Sequence, residues 1–404
     1  MTTKSNGKAS ARKTRKKSPV SSAVQRVPSR KIRETTKLIL FVRAGGRCEF
    51  DGHNEYLLRH PLTLHEGNFG QMAHIVAFKP KGPRGKTGVR PLDINDVDNL
   101  MLLCPACHKL VDEERPQDFT RETLEKYKRD HETRIFTLTA TKADRKTTVV
   151  QLKSRVAGQT VAIPVADVRQ AVSPRYPDDP RGYIIDLTSM HTEDNNFLQV
   201  AASTIKTEVQ RLYAPGMEVE STRHISLFAL APIPLLIYLG RQLSNKVPVD
   251  PYQRHRDTED WAWKQGGDPV GYKFLPVRKG TSRSKVALVL PLSGPIKIKD
   301  LPAEIDSRFS IYEITLLSGT ANPTYLRLRE DVTEFRRIYQ EALRAIAGNH
   351  QALREIHLFP AVPAPIAVLC GRELLPKVDP ALLVYDYDKH KGGFKPTLRI
   401  NDGE

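Results

Sequence analysis

The spacing of apolar and polar positions predicts two short elements in the first third of the chain. Residues 71–78 form an apolar run with a single histidine, His74, and predict a short strand. Residues 119–131 place apolar side chains at helical spacing and predict an amphipathic helix. These elements, with the polar loops between them, indicate a small domain of mixed α and β structure.

The pattern changes near residues 140–165, where we place a domain boundary. Beyond it, apolar runs that predict buried strands alternate with amphipathic stretches that predict helices, an order typical of an α/β fold. The predicted strands cover residues 183–188, 286–290 and 310–317, and the predicted helices cover 196–212 and 332–346. A length of 404 residues fits two or three domains.

The second region contains an internal repeat. Residues 225–243 align without gaps with residues 356–374, and eight of the nineteen positions are identical. Each copy predicts a short strand, a proline-containing turn and a helix that ends in Gly-Arg. Two related α/β halves would place strand ends and helix N-termini around a shared crevice, which suits an anionic nucleotide. A duplication kept only for packing is the alternative.

Positive charge is concentrated at the beginning of the chain. The formal net charge is +17, and residues 4–37 contain twelve Lys or Arg and one acidic residue, Glu34. Such a polar stretch cannot bury a core, so we predict a disordered basic tail over residues 1–37. A tail of this kind suits contact with nucleic-acid phosphates, and a role in solubility alone is the alternative.

The sequence gives no sign of a membrane segment or of disulfide bonds. The longest apolar run, residues 225–240, is shorter than the roughly 20 residues of a spanning helix and is interrupted by Pro232 and Pro234. The chain opens without a signal-peptide pattern, and its four cysteines do not form a disulfide framework. We therefore expect a cytoplasmic protein, with Cys370 as a core residue of an apolar run.

The other three cysteines and one histidine form a metal-binding pattern. Cys104 and Cys107 are separated by two residues, the spacing with which a tight turn holds one zinc ion. Cys48 and His53, separated by four residues, supply the other half of the site. We predict a structural zinc ion, because all four coordination positions would be filled by protein side chains.

Three more residues, His74, Asn99 and His108, accompany these ligands. With them, residues 40–135 resemble the HNH endonuclease family, which folds as a hairpin and a helix around one divalent ion. The resemblance implies that His74 is the general base that deprotonates the attacking water. It also implies that Asn99 orients this base and that His108 binds the catalytic ion, which we expect to be Mg²⁺.

One position departs from the family pattern. Ala73 stands where many members have Asp or His as a further ligand of the catalytic ion. Asp112, one helical turn after His108, is a candidate for that role. Five basic residues between His74 and Asn99 are expected to hold the DNA backbone, with modest sequence preference: Lys79, Lys81, Arg84, Lys86 and Arg90.

Residues 165–400 resemble the SAVED domain, in which two fused CARF-like halves sense cyclic oligonucleotides. The resemblance rests on the repeated strand–proline–helix units and on their position after an HNH nuclease. This order is similar to that of nuclease effectors in bacterial CBASS antiphage systems. It implies that a cyclic di- or trinucleotide binds the sensor, that the protein assembles into a homo-oligomer, and that double-stranded DNA is then degraded.

We therefore expect an α+β zinc-stapled ββα-metal (HNH) nuclease domain, followed by an α/β SAVED domain of two fused CARF/Rossmann-like halves. The predicted bounds are residues 1–37 for the tail, 38–140 for the nuclease domain, 141–165 for a linker and 166–400 for the SAVED domain, with halves at about 166–300 and 301–400.

Candidate contacts to the cyclic nucleotide follow from its chemistry. Aromatic side chains stack on bases, and basic side chains hold phosphates. The charged stretch 252–264 offers Tyr252, Trp261, Trp263 and Lys264, with core packing as the alternative for each tryptophan. Positions at the ends of predicted strands add Thr188, Ser189, Ser318, Gly319 and Pro360.

Two other classes of function remain open. A zinc-dependent DNA-binding regulator would sense a ligand without cleaving, and Ala73 favours it while the complete set of His74, Asn99 and His108 opposes it. A restriction-type nuclease would use the second region to recognise modified DNA. The repeat opposes that alternative, because a duplicated sensor suits a small two-fold ligand better than a duplex.

Overall fold

The computed structural model describes residues 30–86, 88–140, 143–155, 162–179, 181–191, 196–350, 353–388 and 392–402. The chain divides into two compact units between Ala140 and Thr141. Most of the predicted disordered tail, residues 1–29, lies outside the described residues. In the part of the chain that the structure describes, no helix is both long and apolar enough to span a membrane.

The first unit is a short hairpin surrounded by helices. Its elements are α1 (Glu34–Arg43), β1 (Gln71–His74), β2 (Leu100–Leu103), α2 (Pro105–Lys109) and α3 (Arg121–Thr139). Strands β1 and β2 pair antiparallel, with His74 opposite Leu100. Helix α2 continues as a π-helical turn, Leu110–Glu114. The predicted strand and helix are thus present, although β1 is shorter and α3 is longer than predicted.

The first unit begins earlier than predicted. Helix α1 starts at Glu34, inside the segment assigned to the tail, and Ile32 before it packs in the core of the unit. Leu40 of α1 is fully buried in the same core. The high density of Lys and Arg in this segment led to the prediction of disorder. The few apolar residues among them are nevertheless sufficient to anchor one short helix in the core.

The second unit contains two mainly parallel sheets. The first sheet consists of β3 (Lys146–Lys153), β4 (Tyr176–Pro177), β5 (Tyr183–Asp186), β6 (Ile225–Leu230) and β7 (Val249–Tyr252). The second consists of β8 (Tyr272–Arg278), β9 (Val286–Pro291), β10 (Ser310–Leu316), β11 (Glu355–Ala361), β12 (Ala381–Asp388) and β13 (Gly393–Ile400). The helices are α4 (Val165–Val172), α5 (Phe197–Leu212), α6 (Glu218–Thr222), α7 (Ile233–Leu243), α8 (Arg329–Asn349) and α9 (Ala364–Arg372).

The two sheets share one topology. The parallel strands run β5-β3-β6-β7 in the first sheet and β10-β9-β11-β12 in the second. Helices α5 and α8 follow the outer strands β5 and β10, and helices α7 and α9 follow β6 and β11. Strands β8 and β13 extend the second sheet by antiparallel pairing. The prediction of two related α/β halves is therefore confirmed.

Two of the predicted boundaries in this unit are wrong. The expected linker, residues 141–165, contains β3, whose residues Val149, Val150 and Leu152 are fully buried and which pairs with β5 and β6. The charged residues before it suggested a linker, whereas the β-branched run behind them forms a central strand. The second half begins by Tyr272 rather than near residue 301, because β8 and β9 both pair with β10.

Close packing of α7 on α9 explains the Gly-Arg end of each repeat copy. A Cβ atom added to Gly240 would lie 1.9 Å from the carbonyl oxygen of Val368, and one added to Gly371 would lie 1.8 Å from that of Ile237. In the repeat, Gly240 is equivalent to Gly371 and Ile237 is equivalent to Val368. The two helices are therefore related by a pseudo-two-fold axis at their crossing point. Only glycine permits the two backbones to approach this closely.

Candidate functional site

Four side chains converge beside the hairpin of the first unit. Cys48 precedes the loop that carries His53, and Cys104 and Cys107 lie at the start of α2, where the Cys104 sulfur accepts the backbone N–H of Cys107. One ligand atom from each of these residues lies within 4.8 Å of the others. The structure therefore brings together all four predicted zinc ligands.

The distances in this cluster fit a tetrahedral ion. His53 Nδ1 lies 3.6 Å from Cys104 Sγ and 3.4 Å from Cys107 Sγ. In a tetrahedral zinc site with bonds of about 2.0 Å to nitrogen and 2.3 Å to sulfur, these ligand atoms would be about 3.5 Å apart. The other ring nitrogen of His53, Nε2, lies 3.8 Å from Glu55, a carboxylate placed to orient the imidazole.

Burial makes the clustered sulfurs dependent on a cation. Burial raises the pKa of the Cys107 thiol, and the neighbouring sulfurs of Cys48 and Cys104 raise it further. Burial also raises the pKa of Cys48. Three buried sulfurs so close together bind as thiolates only when a positive ion compensates their charge, which is the chemistry of a structural zinc site.

His74 ends β1 and is half-buried, with one ring nitrogen engaged. Its Nε2 lies 2.9 Å from Oδ1 of Asn95, a residue that the sequence did not single out. An amide oxygen can only accept, so Nε2 is the donor in this contact and Nδ1 is the nitrogen left for other contacts. Asn95 lies in a loop without a motif, and only tertiary structure shows that it contacts His74.

Asn99 fixes the segment that follows His74. Its side-chain oxygen accepts the backbone N–H of Val76, and its amide nitrogen donates to the carbonyl oxygens of Val76 and Ile94. Asn99 is buried, so these bonds satisfy its polar atoms inside the unit. Because Ile94 adjoins Asn95, Asn99 also sets the position of the residue that contacts His74.

His108 and Asp112 lie on one face of the helical segment that follows the cysteines. His108 Nε2 is 3.6 Å from the Asp112 carboxylate, and both side chains are partly exposed. Arg84 also contacts Asp112 and donates to the carbonyl oxygens of His74, Ile75 and Val111. The Arg84 guanidinium therefore links the end of β1 to the segment that carries His108.

The basic residues predicted to hold DNA divide into two groups. The side chain of Arg84 is only 4% exposed, and Arg90 donates to the carbonyl oxygens of Phe78 and Gly85. The burial of Arg84 shows that its predicted contact with the DNA backbone is wrong, whereas Arg90 is partly exposed and its contact with DNA stays a prediction. Lys79, Lys81 and Lys86 are exposed and stay available for that contact.

Three of the residues proposed to contact a nucleotide are buried in the core instead. Trp261 is fully buried with its ring edge against Phe228, and Tyr252 is stacked on the same Phe228 at 4.7 Å. Pro360 is buried within β11 opposite Leu290. The polar residues around Trp261 suggested exposure, but the tertiary fold covers this ring, so the predicted roles of the three residues are wrong.

The remaining predicted contacts lie nearer the surface. Lys264 donates to Asp260 and Thr258, and Thr188 donates to Asp186 at the end of β5. Ser318 and Gly319 are exposed after β10, and Ser189 is also accessible after β5. Thr188, Ser189, Ser318 and Gly319 follow the carboxyl ends of β5 and β10, and Lys264 lies in the segment between β7 and β8.

Unpaired polar atoms indicate further residues near the end of β7. Gln253 Oε1, His255 Nε2 and Trp263 Nε1 are buried and have no hydrogen-bond partner. The rings of His255 and Trp263 meet edge to face at 6.0 Å. Buried polar atoms are normally paired, so these three groups mark a place where water or a ligand belongs. The sequence offered no signal for Gln253 or His255.

Comparison with known proteins assigns a class to each unit. Residues 48–115 match the family model described as HNH endonuclease. Residues 205–400 match the model described as SAVED, the "SMODS-associated and fused to various effectors sensor domain". The chain therefore has an HNH domain followed by a SAVED domain, as predicted. No curated protein shows a significant match to the sequence.

Similar solved structures include receptors called Cap4. The Acinetobacter baumannii Cap4 SAVED/CARF-domain containing receptor with the cyclic trinucleotide 3'3'3'-cAAA is 13% identical, with a TM-score of 0.43; the match covers 70% of this chain and 63% of that one. The Moraxella osloensis Cap4 receptor is also 13% identical, with a TM-score of 0.36 and coverage of 72% and 63%. The chain thus spans less than two thirds of the length of these receptors.

Proposed function

We propose that the protein is a DNA endonuclease that is activated when a cyclic oligonucleotide binds its SAVED domain. The observation that carries the proposal is the joining of an HNH domain, in which Arg84 bonds the His74 carbonyl oxygen and the Asp112 carboxylate, to a duplicated α/β sensor. The order of the two domains fits an effector of bacterial antiphage defence of the CBASS type. The reaction would take place on double-stranded DNA in the cytoplasm.

Hydrolysis in this proposal uses His74 as the general base. The unprotonated Nδ1 takes a proton from water, the water oxygen forms a bond to phosphorus, and one P–O ester bond breaks. Asn95 holds Nε2 of His74 at 2.9 Å and thereby fixes the ring and its tautomer. Asn99 acts as a positioning residue through the loop that carries Asn95.

His108 and Asp112 form the donor pair for the catalytic cation. An imidazole and a carboxylate 3.6 Å apart can bind one divalent ion, which we propose to be Mg²⁺. The ion would offset negative charge on the phosphate and the leaving oxygen. Arg84 already engages one oxygen of Asp112, so water and the DNA phosphate would complete the coordination in place of the side chain that Ala73 lacks.

The sensor in this proposal takes the cyclic nucleotide at the carboxyl ends of its parallel strands. Trp263, His255 and Gln253 present unpaired polar atoms just beyond β7, and exposed loop residues follow β5 and β10. Binding activates only if it favours the active state over the resting state. We propose that this state is a homo-oligomer in which nuclease domains pair and two nicks produce a double-strand break.

The proposal is tested by plasmid cleavage with Mg²⁺ and a panel of cyclic di- and trinucleotides. We expect cleavage only with an activating compound, and a loss of at least about 100-fold in His74→Ala, the usual contribution of a general base. His65→Ala, which changes an exposed histidine of the same unit, is the matched control and should cut normally.

Other outcomes would favour the alternatives. Cleavage without any cyclic nucleotide would support a restriction-type nuclease. Tight DNA binding with no cleavage under any condition would support a regulator. Light scattering with and without the activating compound tests assembly, and a monomer that cuts after activation would contradict the oligomer.

A further inference from the structure

One pocket of the SAVED domain lies away from the carboxyl ends of the strands. It has a volume of about 440 Å³ and is lined by residues from the ends of α5, α7 and α9 and from the segments that follow α7 and α9. Each of these helices runs back along its sheet, so the pocket is near the amino ends of the strands. Val247 and Leu375, which adjoin it, precede β7 and β12.

The pocket is positively charged. Its lining includes Arg241, Lys246 and Arg372 and contains no Asp or Glu. Among the described residues, no ion pair involves these three side chains, although Arg241 donates through Nε to Oδ1 of Asn401 at 3.0 Å. Arg241 and Arg372 are equivalent positions of the repeat, so the pseudo-two-fold axis brings two guanidinium groups to the same cavity.

Several polar groups of the pocket have unused hydrogen-bonding capacity. Arg372 donates through one terminal nitrogen to the carbonyl oxygen of Val247 at 2.7 Å, but its buried Nε has no partner. The hydroxyl of Ser244 is also buried and unpaired, and Ser244 has a φ of 51°, which is unusual for a residue other than glycine. Unpaired buried donors are costly, so each requires an acceptor that the protein does not supply.

The charge of Arg372 is poorly compensated in its surroundings. Burial lowers the pKa of its guanidinium, because removal from water disfavours the charged form. Placement at a helix C-terminus is favourable for Arg241 and Arg372, since the helix dipole is negative there. The helix dipole therefore explains why two arginines stand at these helix ends. It does not explain why the cavity beside them is lined with hydrogen-bond donors that have no partner.

We propose that this pocket binds a small phosphate-bearing anion of mononucleotide size. A phosphate oxygen can accept hydrogen bonds from an arginine and a serine together, and such charge-assisted bonds are the strong ones. The volume of about 440 Å³ is in the range of small-ligand pockets. Lys246 covers the ring of Tyr213 at 4.8 Å and can turn toward an anion from the pocket rim.

Isothermal titration of the full chain tests the proposal with 5′-AMP, inorganic phosphate and adenosine as probes. We expect AMP to bind with a stoichiometry of one, and adenosine not to bind. Arg241→Gln and Lys246→Gln should each weaken AMP binding at least about tenfold, since each removes a charge-assisted contact. Arg169→Gln removes an equal charge on the exposed face of α4 and should leave binding unchanged.

The comparison of probes identifies the source of the phosphate. Equal affinities for inorganic phosphate and AMP would assign the pocket to phosphate alone, and tighter AMP binding would assign it to a nucleotide. The proposal is overturned if neither AMP nor inorganic phosphate binds, or if adenosine binds as tightly as AMP. It is also overturned if the Arg241→Gln and Lys246→Gln variants both bind AMP with wild-type affinity. Melting curves of the variants show whether they are folded, and Lys246 is exposed, so its replacement should be tolerated.

Discussion

The two units of this protein achieve stability in different ways. Among the described residues, the main core of the HNH unit contains fifteen buried apolar residues, and three of them are the cysteines of the candidate metal cluster. The main core of the SAVED unit contains fifty-one, from both sheets and their helices. A metal cross-link contributes more to the stability of a domain with so small a core than it would to a large α/β domain.

Function follows the same division. In the HNH unit, chemistry-bearing residues crowd around one metal cluster and one hairpin, so short sequence spacings describe most of the site. In the SAVED unit, the candidate groups are dispersed over loops that are far apart in the sequence. The comparison therefore predicts that removal of the metal destabilises the HNH unit, and that disruption of helix packing destabilises the SAVED unit.

Loss of zinc should have the largest effect. Cys107→Ser, or removal of zinc by a chelator, should unfold the HNH unit, since structural zinc contributes roughly 10 kcal/mol or more to folding in small domains. The backbone amides of the SAVED unit should remain protected from hydrogen exchange. Hydrogen exchange followed by mass spectrometry resolves the two units. Cys370→Ser changes a buried thiol of the SAVED unit and should leave the zinc content intact. A cooperative loss of both units would contradict the division.

Crowding of the glycine crossing should come next. Gly240→Ala places a methyl group 1.9 Å from the Val368 carbonyl oxygen, so α7 and α9 must separate. We expect the SAVED unit to lose about 3 kcal/mol of stability, at the upper end of typical overpacking costs. Gly348→Ala is the control, because its Cβ would meet nothing within 4 Å in α8. It should stabilise by about 0.5 kcal/mol; equal melting temperatures for the two variants would refute this packing.

Removal of the buried arginine should have a smaller effect, confined to the HNH unit. Arg84→Gln leaves the carbonyl oxygens of Ile75 and Val111 and the Asp112 carboxylate without their donor. We expect a loss of about 2 kcal/mol in the unfolding free energy of this unit, measured by denaturant titration. If the unfolding free energy of this unit is unchanged and DNA binding is weaker, Arg84 contacts DNA after all.

Replacement of the exposed lysines should have the smallest effect on stability and a specific effect on binding. The triple change Lys79→Gln, Lys81→Gln and Lys86→Gln removes the charges of three exposed side chains. If all three contact phosphates, the slope of log K against log salt should fall by about 3 in magnitude, as counterion release predicts. Titration of a DNA duplex at several salt concentrations measures this slope, and an unchanged slope would exclude these residues from the interface.

The sequence predicted most of the HNH unit because its signals are local. Two cysteines in one turn supply half of a zinc site, and the spacing of Cys48, His53, Cys104 and Cys107 predicted the cluster that the structure shows. The contact between Asn95 and His74 could not be predicted, because no pattern links a loop amide to a strand end twenty-one residues away. The internal role of Arg84 escaped prediction for the same reason.

For the SAVED unit, the sequence alone determined the class and the duplication. The apolar runs and the aligned copies of residues 225–243 and 356–374 were sufficient for two α/β halves. Tertiary structure decided where the halves begin, that Trp261 is covered, and that Arg241 and Arg372 meet at one cavity. Periodicity reports which face of an element avoids water, but burial of a given side chain depends on distant segments that pack against it.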